Sequence, residues 1–140
     1  MHRVAEVFSD VPCTTRLWLS EAAQKEIVRF REKGDPNGAF WKKVKRYAEN
    51  GFALYERGNP PPVRHEGRGV YRVGTIDSLF RIIGFYENDS RTDFIAIDAF
   101  LKKGQQLSQS EKERINEVAR VKEHGDWGKK PIDRYPRLAP

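Results

Sequence analysis

Residues 94–111 read FIAIDAFLKKGQQLSQSE, an apolar segment that ends in two lysines and then enters a polar turn. Apart from Asp98, both alternating sets of side chains in the first eight residues are apolar, which is typical of a β-strand covered on both faces. Lys102 and Lys103 follow directly, where this strand ends. The segment therefore predicts a central strand with fixed positive charge at one end, where an anionic partner could dock.

Two more strand-like runs precede this segment. Residues 70–75 and 79–86 are rich in β-branched and aromatic side chains, and Asp, Asn and Ser residues lie between the runs as turn formers. The connections are short, which favours antiparallel neighbours. Together with residues 94–101, these runs predict a three-stranded antiparallel meander.

The N-terminal third is predicted to form a helical hairpin after a possible first strand at residues 4–8. Ser20 is a suitable N-cap for the first helix, and Gly34 ends it. Asp35 then caps a second helix with Pro36 in its first turn. Both helices have an apolar stripe at helical spacing, so they are expected to pack against each other and against the sheet.

A final helix follows the last strand. One candidate capping box pairs Ser108 with Glu111, and the alternative pairs Ser110 with Glu113. The helix is expected to stop at Gly125. The order of elements predicts an α+β fold, in which an N-terminal helical hairpin packs on a small antiparallel sheet and a C-terminal helix follows.

The length of 140 residues suits one domain. We assign it to residues 1–125, and we expect residues 126–140 to form an irregular basic tail. No apolar stretch approaches the roughly 18 residues that a membrane span needs, and the first residues lack the apolar segment of a signal peptide. We therefore expect a soluble cytoplasmic protein with no membrane partner.

The sequence indicates neither a disulfide nor a metal site. Cys13 is the only cysteine, which excludes an intramolecular disulfide and a cysteine cluster. The three histidines are far apart and have no ligand spacing. No metal and no cofactor are predicted.

The net charge of +6, with an isoelectric point near 9.5, favours an anionic partner. A small basic domain often binds nucleic acid or an acidic protein. The alternative is that the charge serves solubility alone.

The charged side chains of the strands are the first candidates for a site. Arg81 lies inside an apolar run, where a charge is costly unless it is paired or opens onto a cleft. One reading is an ion pair with Asp98, and the other is an arginine that holds a phosphate with its planar fork. Lys102 and Lys103 would either be solvated at the strand end or neutralise phosphates.

A second candidate is the segment VRHEGRGVYR at residues 63–72. His65 and Glu66 could exchange protons, while Arg64 and Arg68 could bind RNA phosphates. The alternative reading is a solvated loop that leads into a strand.

The chain resembles the RelE/ParE toxin superfamily, and its HigB-like branch most closely, over residues 36–122. The motifs that carry the likeness are strand-like GVYRV at residues 69–73, LFRIIGFY at residues 79–86, and FLKKGQ at residues 100–105 before a Glu-rich helix. Members of this superfamily are toxins of bacterial and phage toxin–antitoxin pairs. The resemblance implies a microbial-ribonuclease-like α/β fold.

The resemblance also implies an activity, namely cleavage of mRNA on the ribosome by attack of the ribose 2′-hydroxyl on the adjacent phosphate. No metal would be needed, and a small antitoxin protein would be the second partner. Arg81 matches the phosphate-holding arginine of the family. Lys103, with Lys102 beside it, falls near a second basic position that stabilises charge, and Arg72 matches a basic position of the preceding strand.

Two positions depart from the family pattern. A second basic position of the preceding strand falls on Gly74, and the Tyr or His that often follows the last strand is missing. Tyr86 or His65 could take the place of that residue. The alternatives are therefore a non-enzymatic relative, such as a gyrase inhibitor or an inactive toxin, and an unrelated basic RNA-binding domain.

Overall fold

The structure is a computed structural model that describes residues 1–35, 37–75 and 77–130. This part of the chain forms seven strands and three α-helices. A short 3₁₀ helix precedes the third strand. The bounds are β1 His2–Val7, β2 Arg16–Ser20, α1 Glu21–Lys33, α2 Ala39–Asn50, the 3₁₀ helix Phe52–Glu56, β3 Val63–Gly67, β4 Val70–Val73, β5 Phe80–Tyr86, β6 Asp93–Leu101, α3 Gln109–His124 and β7 Trp127–Lys129.

The strands form one mixed sheet in the order β3-β4-β5-β6-β2-β1-β7. The β2–β6 and β1–β7 pairs are parallel, and every other neighbouring pair is antiparallel. A parallel pair needs a long crossover connection. Between β2 and β6 this connection consists of α1, α2, the 3₁₀ helix and the strands β3, β4 and β5.

Helices cover both faces of this sheet. Alternate strand residues point to opposite faces, so Ile82 packs in the cluster that contains α1 and α2, whereas Ile83 packs against α3. The same alternation separates Phe94 from Ile95 in β6. The central strands are therefore covered on both faces, as their apolar sequences indicate.

The predicted fold class is wrong. The structure is a seven-stranded mixed sheet with three helices, not a helical hairpin on a small antiparallel sheet with a C-terminal helix. The pattern missed β2, whose five residues include only three apolar ones and run directly into α1. It also missed β3, which contains Arg, His and Glu and becomes a strand by pairing with β4.

The helix starts follow the predicted capping chemistry. The Ser20 hydroxyl accepts a hydrogen bond from the Ala23 backbone N–H at 3.1 Å. Of the two candidate boxes, the one that forms joins Ser108 and Glu111. Both caps satisfy N–H groups that a first helical turn leaves without partners.

The second helix begins later than predicted, at Ala39. Asp35 still caps it, because its carboxylate accepts from the backbone N–H groups of Phe40 at 3.1 Å and Trp41 at 3.4 Å. The predicted role of Pro36 falls outside the described residues. The Asp35 side chain therefore caps α2 from four residues before Ala39, rather than from the residue directly before the helix.

The sheet extends into the segment that was predicted to be an irregular tail. Trp127–Lys129 forms β7 and pairs with the start of β1. The rest of that predicted tail, residues 131–140, lies outside the described residues. Of the helices described, none has the length and apolar character needed to cross a membrane.

Candidate anion-binding cleft

A cleft of about 520 Å³ opens at the end of the sheet where β4 stops and β5 starts. Among the described residues, its lining includes four cationic side chains, Arg64, Arg72, Arg81 and Lys102. The loop before β3 contributes an apolar wall of consecutive prolines at positions 60–62. The cleft therefore combines concentrated positive charge with a rigid apolar border.

Strand register brings the four cations to the α3 face of the sheet. Arg64 of β3 lies opposite Arg72 of β4, and Arg72 lies opposite Ile83, which packs against α3. Arg81 pairs in register with Phe100 on the same face. Lys102 lies two residues beyond Phe100, so it returns to that face.

Arg64 and Arg72 are a like-charged pair directly across two strands, an arrangement that destabilises a sheet. Burial lowers the pKa of Arg72, the nearby Glu66 carboxylate raises it, and Arg64 lowers it further. Oε1 of Glu66 lies 3.0 Å from Nε of Arg72. That oxygen is nevertheless buried without an aligned hydrogen bond, so this contact only partly compensates the positive charge.

Arg81 is held by backbone carbonyl groups. Its Nη1 donates to the carbonyl oxygens of Ser78 at 2.7 Å and Phe80 at 2.8 Å. Burial lowers its pKa, and the charge of Arg72 lowers it further. In the part of the chain that the structure describes, Arg81 has no ion-pair partner, so its charge remains available to a bound anion.

Gly74 makes room for the Arg81 side chain. A Cβ atom at position 74 would lie 2.6 Å from Nη1 of Arg81 and 2.7 Å from its Cδ. The glycine, which departs from the basic residue that the resemblance leads one to expect, therefore has a steric role. It allows the guanidinium group of β5 to lie over β4.

Lys102 is the most buried of the four cations, with 7% of its surface exposed. Its Nζ donates to the carbonyl oxygen of Gln105 at 2.7 Å. Burial lowers its pKa, and the charges of Arg72 and Arg81 lower it further. The lowered pKa makes the neutral amine of Lys102 easier to form than that of a solvated lysine.

Lys103 lies outside the cleft lining and is exposed. Its backbone N–H donates to Oε2 of Glu111 at 3.1 Å, which ties the turn to the start of α3. The alternation of side chains along a strand could have distinguished the two lysines from sequence. Lys102 lies two residues after the buried Phe100 and so faces the same side, whereas Lys103 faces the opposite side.

The possible ion pair between Arg81 and Asp98 does not form. Asp98 instead accepts two hydrogen bonds from Arg114 of α3, at 2.8 and 2.7 Å. Arg114 is thereby occupied on α3, whereas Arg81 is turned toward Gly74 and the cleft.

The two candidates for the missing Tyr or His lie on the opposite face of the sheet. Tyr86 packs against the α1–α2 cluster and donates to Oε2 of Glu56 at 2.7 Å. Burial, followed by the contact with Glu56, raises the pKa of its phenol. The His65 ring packs 4.9 Å from that of Tyr71, which belongs to the same cluster. The sheet therefore separates both residues from Arg81.

Arg68 is also engaged elsewhere. It occupies the β3–β4 turn and forms two hydrogen bonds with Glu123 of α3, at 3.0 and 2.6 Å. Of the predicted site residues, the cleft thus brings together Arg64, Arg72, Arg81 and Lys102 and leaves out Arg68, Lys103, His65 and Tyr86.

The remaining ionisable group in the lining is Asp77, at the exposed rim. The neighbouring Thr75 side chain, followed by the hydrogen bond from Lys43, lowers its pKa. Within residues 1–35, 37–75 and 77–130, no group of side chains could hold a metal ion. The cleft can therefore bind an anion through fixed charges and can exchange a proton through Lys102 or Asp77.

No known protein family has a model that matches this chain. Searches among curated proteins and among solved structures also found no match. What the cleft can bind follows from its own residues.

Proposed function

We propose that the cleft binds the phosphate backbone of RNA and that the chain is a toxin-type endoribonuclease. The observation that carries this proposal is the convergence of Arg64, Arg72, Arg81 and Lys102 on one cleft. Mutual repulsion among these cations costs stability in the free protein. A bound phosphate would remove that cost and would accept hydrogen bonds from the guanidinium groups.

The size and border of the cleft favour a nucleotide chain over a single small anion. A volume of about 520 Å³ lies within the range that accommodates an organic ligand. The proline wall offers an apolar surface beside the cations, which suits a base next to its phosphate. The net charge of +6 would also attract a polyanion over a longer distance.

The proposed cleavage uses the ribose 2′-hydroxyl as the nucleophile. The 2′-oxygen attacks the adjacent phosphorus, the bond from phosphorus to the 5′-oxygen breaks, and a 2′,3′-cyclic phosphate forms. Lys102, in its neutral form, accepts the proton of the 2′-hydroxyl. Arg81 and Arg72 stabilise the charge on the phosphate oxygens, and water protonates the leaving 5′-oxygen at the open mouth of the cleft.

The toxin assignment rests on the sequence motifs that resemble the RelE/ParE superfamily. Within this proposal the substrate is mRNA on the ribosome, and a small antitoxin protein is the second partner. Of the motif residues, Arg72, Arg81 and Lys102 line the cleft, whereas Lys103, which falls near the second basic position of the family, does not. The first three side chains support both the resemblance and the RNA-binding proposal.

A second candidate function is RNA binding without cleavage. It is favoured by the position of His65 and Tyr86 behind the sheet, which leaves Lys102 and Asp77 as the proton-exchanging groups among the described lining residues. Both candidates place RNA in the same cleft, and they differ in whether the bound strand is cut.

The deciding experiment uses one RNA in two forms, unmodified and with a single 2′-deoxyribose at the position that is cut. We expect the protein to bind both forms equally in fluorescence anisotropy. When the RNA is presented as mRNA on ribosomes, the protein should cut only the unmodified form. Equal binding without cutting of either form would support the second candidate. If neither RNA binds, both candidates are wrong.

A Gly74→Ala substitution is expected to weaken RNA binding without unfolding the protein. The new methyl group displaces the Arg81 side chain, and the loss of a charge-assisted hydrogen bond costs about 1.5–3 kcal/mol. This corresponds to roughly a tenfold or greater rise in the Kd for RNA. Anisotropy titration measures the affinity, and urea denaturation monitors the fold.

The double variant with Arg81→Ala distinguishes this mechanism from a general disturbance. If Gly74 acts by positioning Arg81, the double variant should bind RNA no more weakly than Arg81→Ala alone. Additive losses would contradict the steric role of Gly74.

A further inference from the structure

A basic stripe runs along the solvent side of α2. The helix carries four cations and one acid, Glu49, in twelve residues. Lys42, Lys45 and Arg46 follow one another at helical spacing, and we call these three residues the α2 stripe. Lys42 and Arg46 are exposed, while the buried residues of α2 pack on the sheet.

The α2 stripe is unfavourable for the isolated helix. Lys42 and Arg46 are like charges one turn apart, which repel each other. Lys42 also lies in the first half of the helix, where the helix dipole disfavours a cation. In the described part of the chain, no acidic side chain forms an ion pair with the α2 stripe. Bound anions would offset this repulsion.

Two contacts fasten α2 to the wall of the cleft. Nζ of Lys43 lies 3.1 Å from Oδ2 of Asp77, and the Tyr47 hydroxyl donates to the carbonyl oxygen of Gly74 at 3.4 Å. Asp77 and Gly74 both line the cleft. The helix that carries the α2 stripe lies on the other face of the sheet from the four cations, but it borders the rim of the cleft at Asp77 and Gly74. A chain that leaves the cleft past Asp77 would therefore pass beside this helix.

We propose that the α2 stripe is a second RNA-binding surface, which contacts the phosphate backbone of RNA that continues out of the cleft. This proposal rests on the proposed function, because RNA must first occupy the cleft. Lysine and arginine side chains on one exposed face bind phosphates without reading the sequence and release counterions as they do so. The α2 stripe therefore raises the affinity for RNA that is long enough to contact both the cleft and the stripe.

The test compares RNAs of two lengths. A labelled strand of about five nucleotides fills the cleft alone, and one of about 20 nucleotides extends beyond a single site. In the Lys42→Glu/Arg46→Glu variant, the longer RNA should bind about tenfold more weakly, and the slope of log K against log salt concentration should fall by about 1.4, or 0.7 for each lost contact. Binding of the short RNA should stay within about twofold of the wild type.

A matched control carries the same charge change on α1. Lys25→Glu/Arg29→Glu replaces two exposed cations at the same spacing, and it should leave both RNAs bound as in the wild type. Lys42→Ala/Arg46→Ala is a milder second variant, and circular dichroism verifies that each protein is folded.

Two results would overturn the proposal while leaving the cleft intact. One is unchanged binding of the longer RNA by both α2 variants, and the other is an equal loss in the α1 control, which would reduce the effect to net charge. If the wild type binds neither RNA, the proposed function itself fails.

Discussion

Gly84→Ala is expected to prevent stable folding, because it should lower the free energy of unfolding by about 4 kcal/mol or more. Losses of this size are found only for a few severe mechanisms. A Cβ atom at position 84 would overlap the carbonyl oxygen of Ile95 and would lie 2.7 Å from the Phe94 ring and 2.8 Å from the Ala96 Cα. Two of these neighbours are backbone atoms of β6. They cannot retreat without separating β5 from β6, the central antiparallel pair of the sheet.

The register of the two strands explains why the space is so small. The pairing shifts between Ile83 and Gly84, which marks a bulge where the backbones approach closely. A domain is stabilised by only about 5–15 kcal/mol, so one such clash removes a large share of the total. Urea denaturation followed by far-ultraviolet circular dichroism measures the loss.

Gly104→Ala is the matched control for this prediction. A Cβ atom at position 104 would have no neighbour within 4 Å, so the same chemical change should leave the denaturation midpoint close to that of the wild type. A Gly84→Ala protein as stable as the Gly104→Ala protein would contradict the close approach of β5 and β6.

Lys102→Met is expected to retain RNA binding but to lose cleavage by about a hundredfold or more, the lower range for a proton-transfer group. Methionine preserves the length of the side chain in a position that is 7% exposed, whereas it can accept no proton from the 2′-hydroxyl. Three of the four cations of the cleft remain to hold the phosphate. Single-turnover cleavage and anisotropy separate the two effects.

The pH dependence of the cleavage rate is an independent test of the role of Lys102 as the proton acceptor. Burial lowers the pKa of Lys102, Arg72 and Arg81 lower it further, and Glu111 and Glu66 act in the opposite direction. Because the neutral amine is the active form, the cleavage rate should rise with pH and level off below 10.5, the ordinary lysine value. Lys102→Met should lose this rise.

Lys103→Met is the control, because Lys103 is exposed and outside the cleft lining. It should cut RNA at nearly the wild-type rate. Loss of cleavage in Lys103→Met, with retention in Lys102→Met, would reverse the assignment of the two lysines.

Strand recognition from sequence succeeded where burial left a continuous apolar run. The sequence predicts strands at residues 79–86 and 94–101, because both faces of these strands are buried and therefore apolar. By contrast, β2 contains only three consecutive apolar residues, and β3 consists of Val, Arg, His, Glu and Gly. The strands β2 and β3 are extended because β2 pairs with β6 and β3 pairs with β4. These pairings cannot be predicted from the local sequence.

Residue identity was sufficient to nominate the cations of the site, but not to group them. Arg72, Arg81, Lys102 and Lys103 are charges within or beside apolar strands, but only the first three line the cleft. His65 and Tyr86 were equally attractive by chemistry, and only the sheet shows that they face the α1–α2 cluster. The role of Gly74 had no sequence signal, because it arises from the Arg81 side chain of the neighbouring strand.

Features that depend on near neighbours along the chain can be predicted from the order of the amino acids. These are the Ser20 cap, a capping box at the start of the last helix, whose choice between two candidates the structure made, and the apolar stripes of the helices. Each involves groups within about one helical turn, where chain connectivity keeps the partners together.

The pairing of the strands, the face that each side chain occupies and the charges that meet depend on contacts between residues far apart in sequence. Arg16 of β2 binds Asp93 of β6 across 77 positions of sequence, and Arg64 faces Arg72 because β3 and β4 share one register. A shift of one residue in that register would send every side chain of the strand to the other face. The cleft therefore exists only once the whole sheet has assembled.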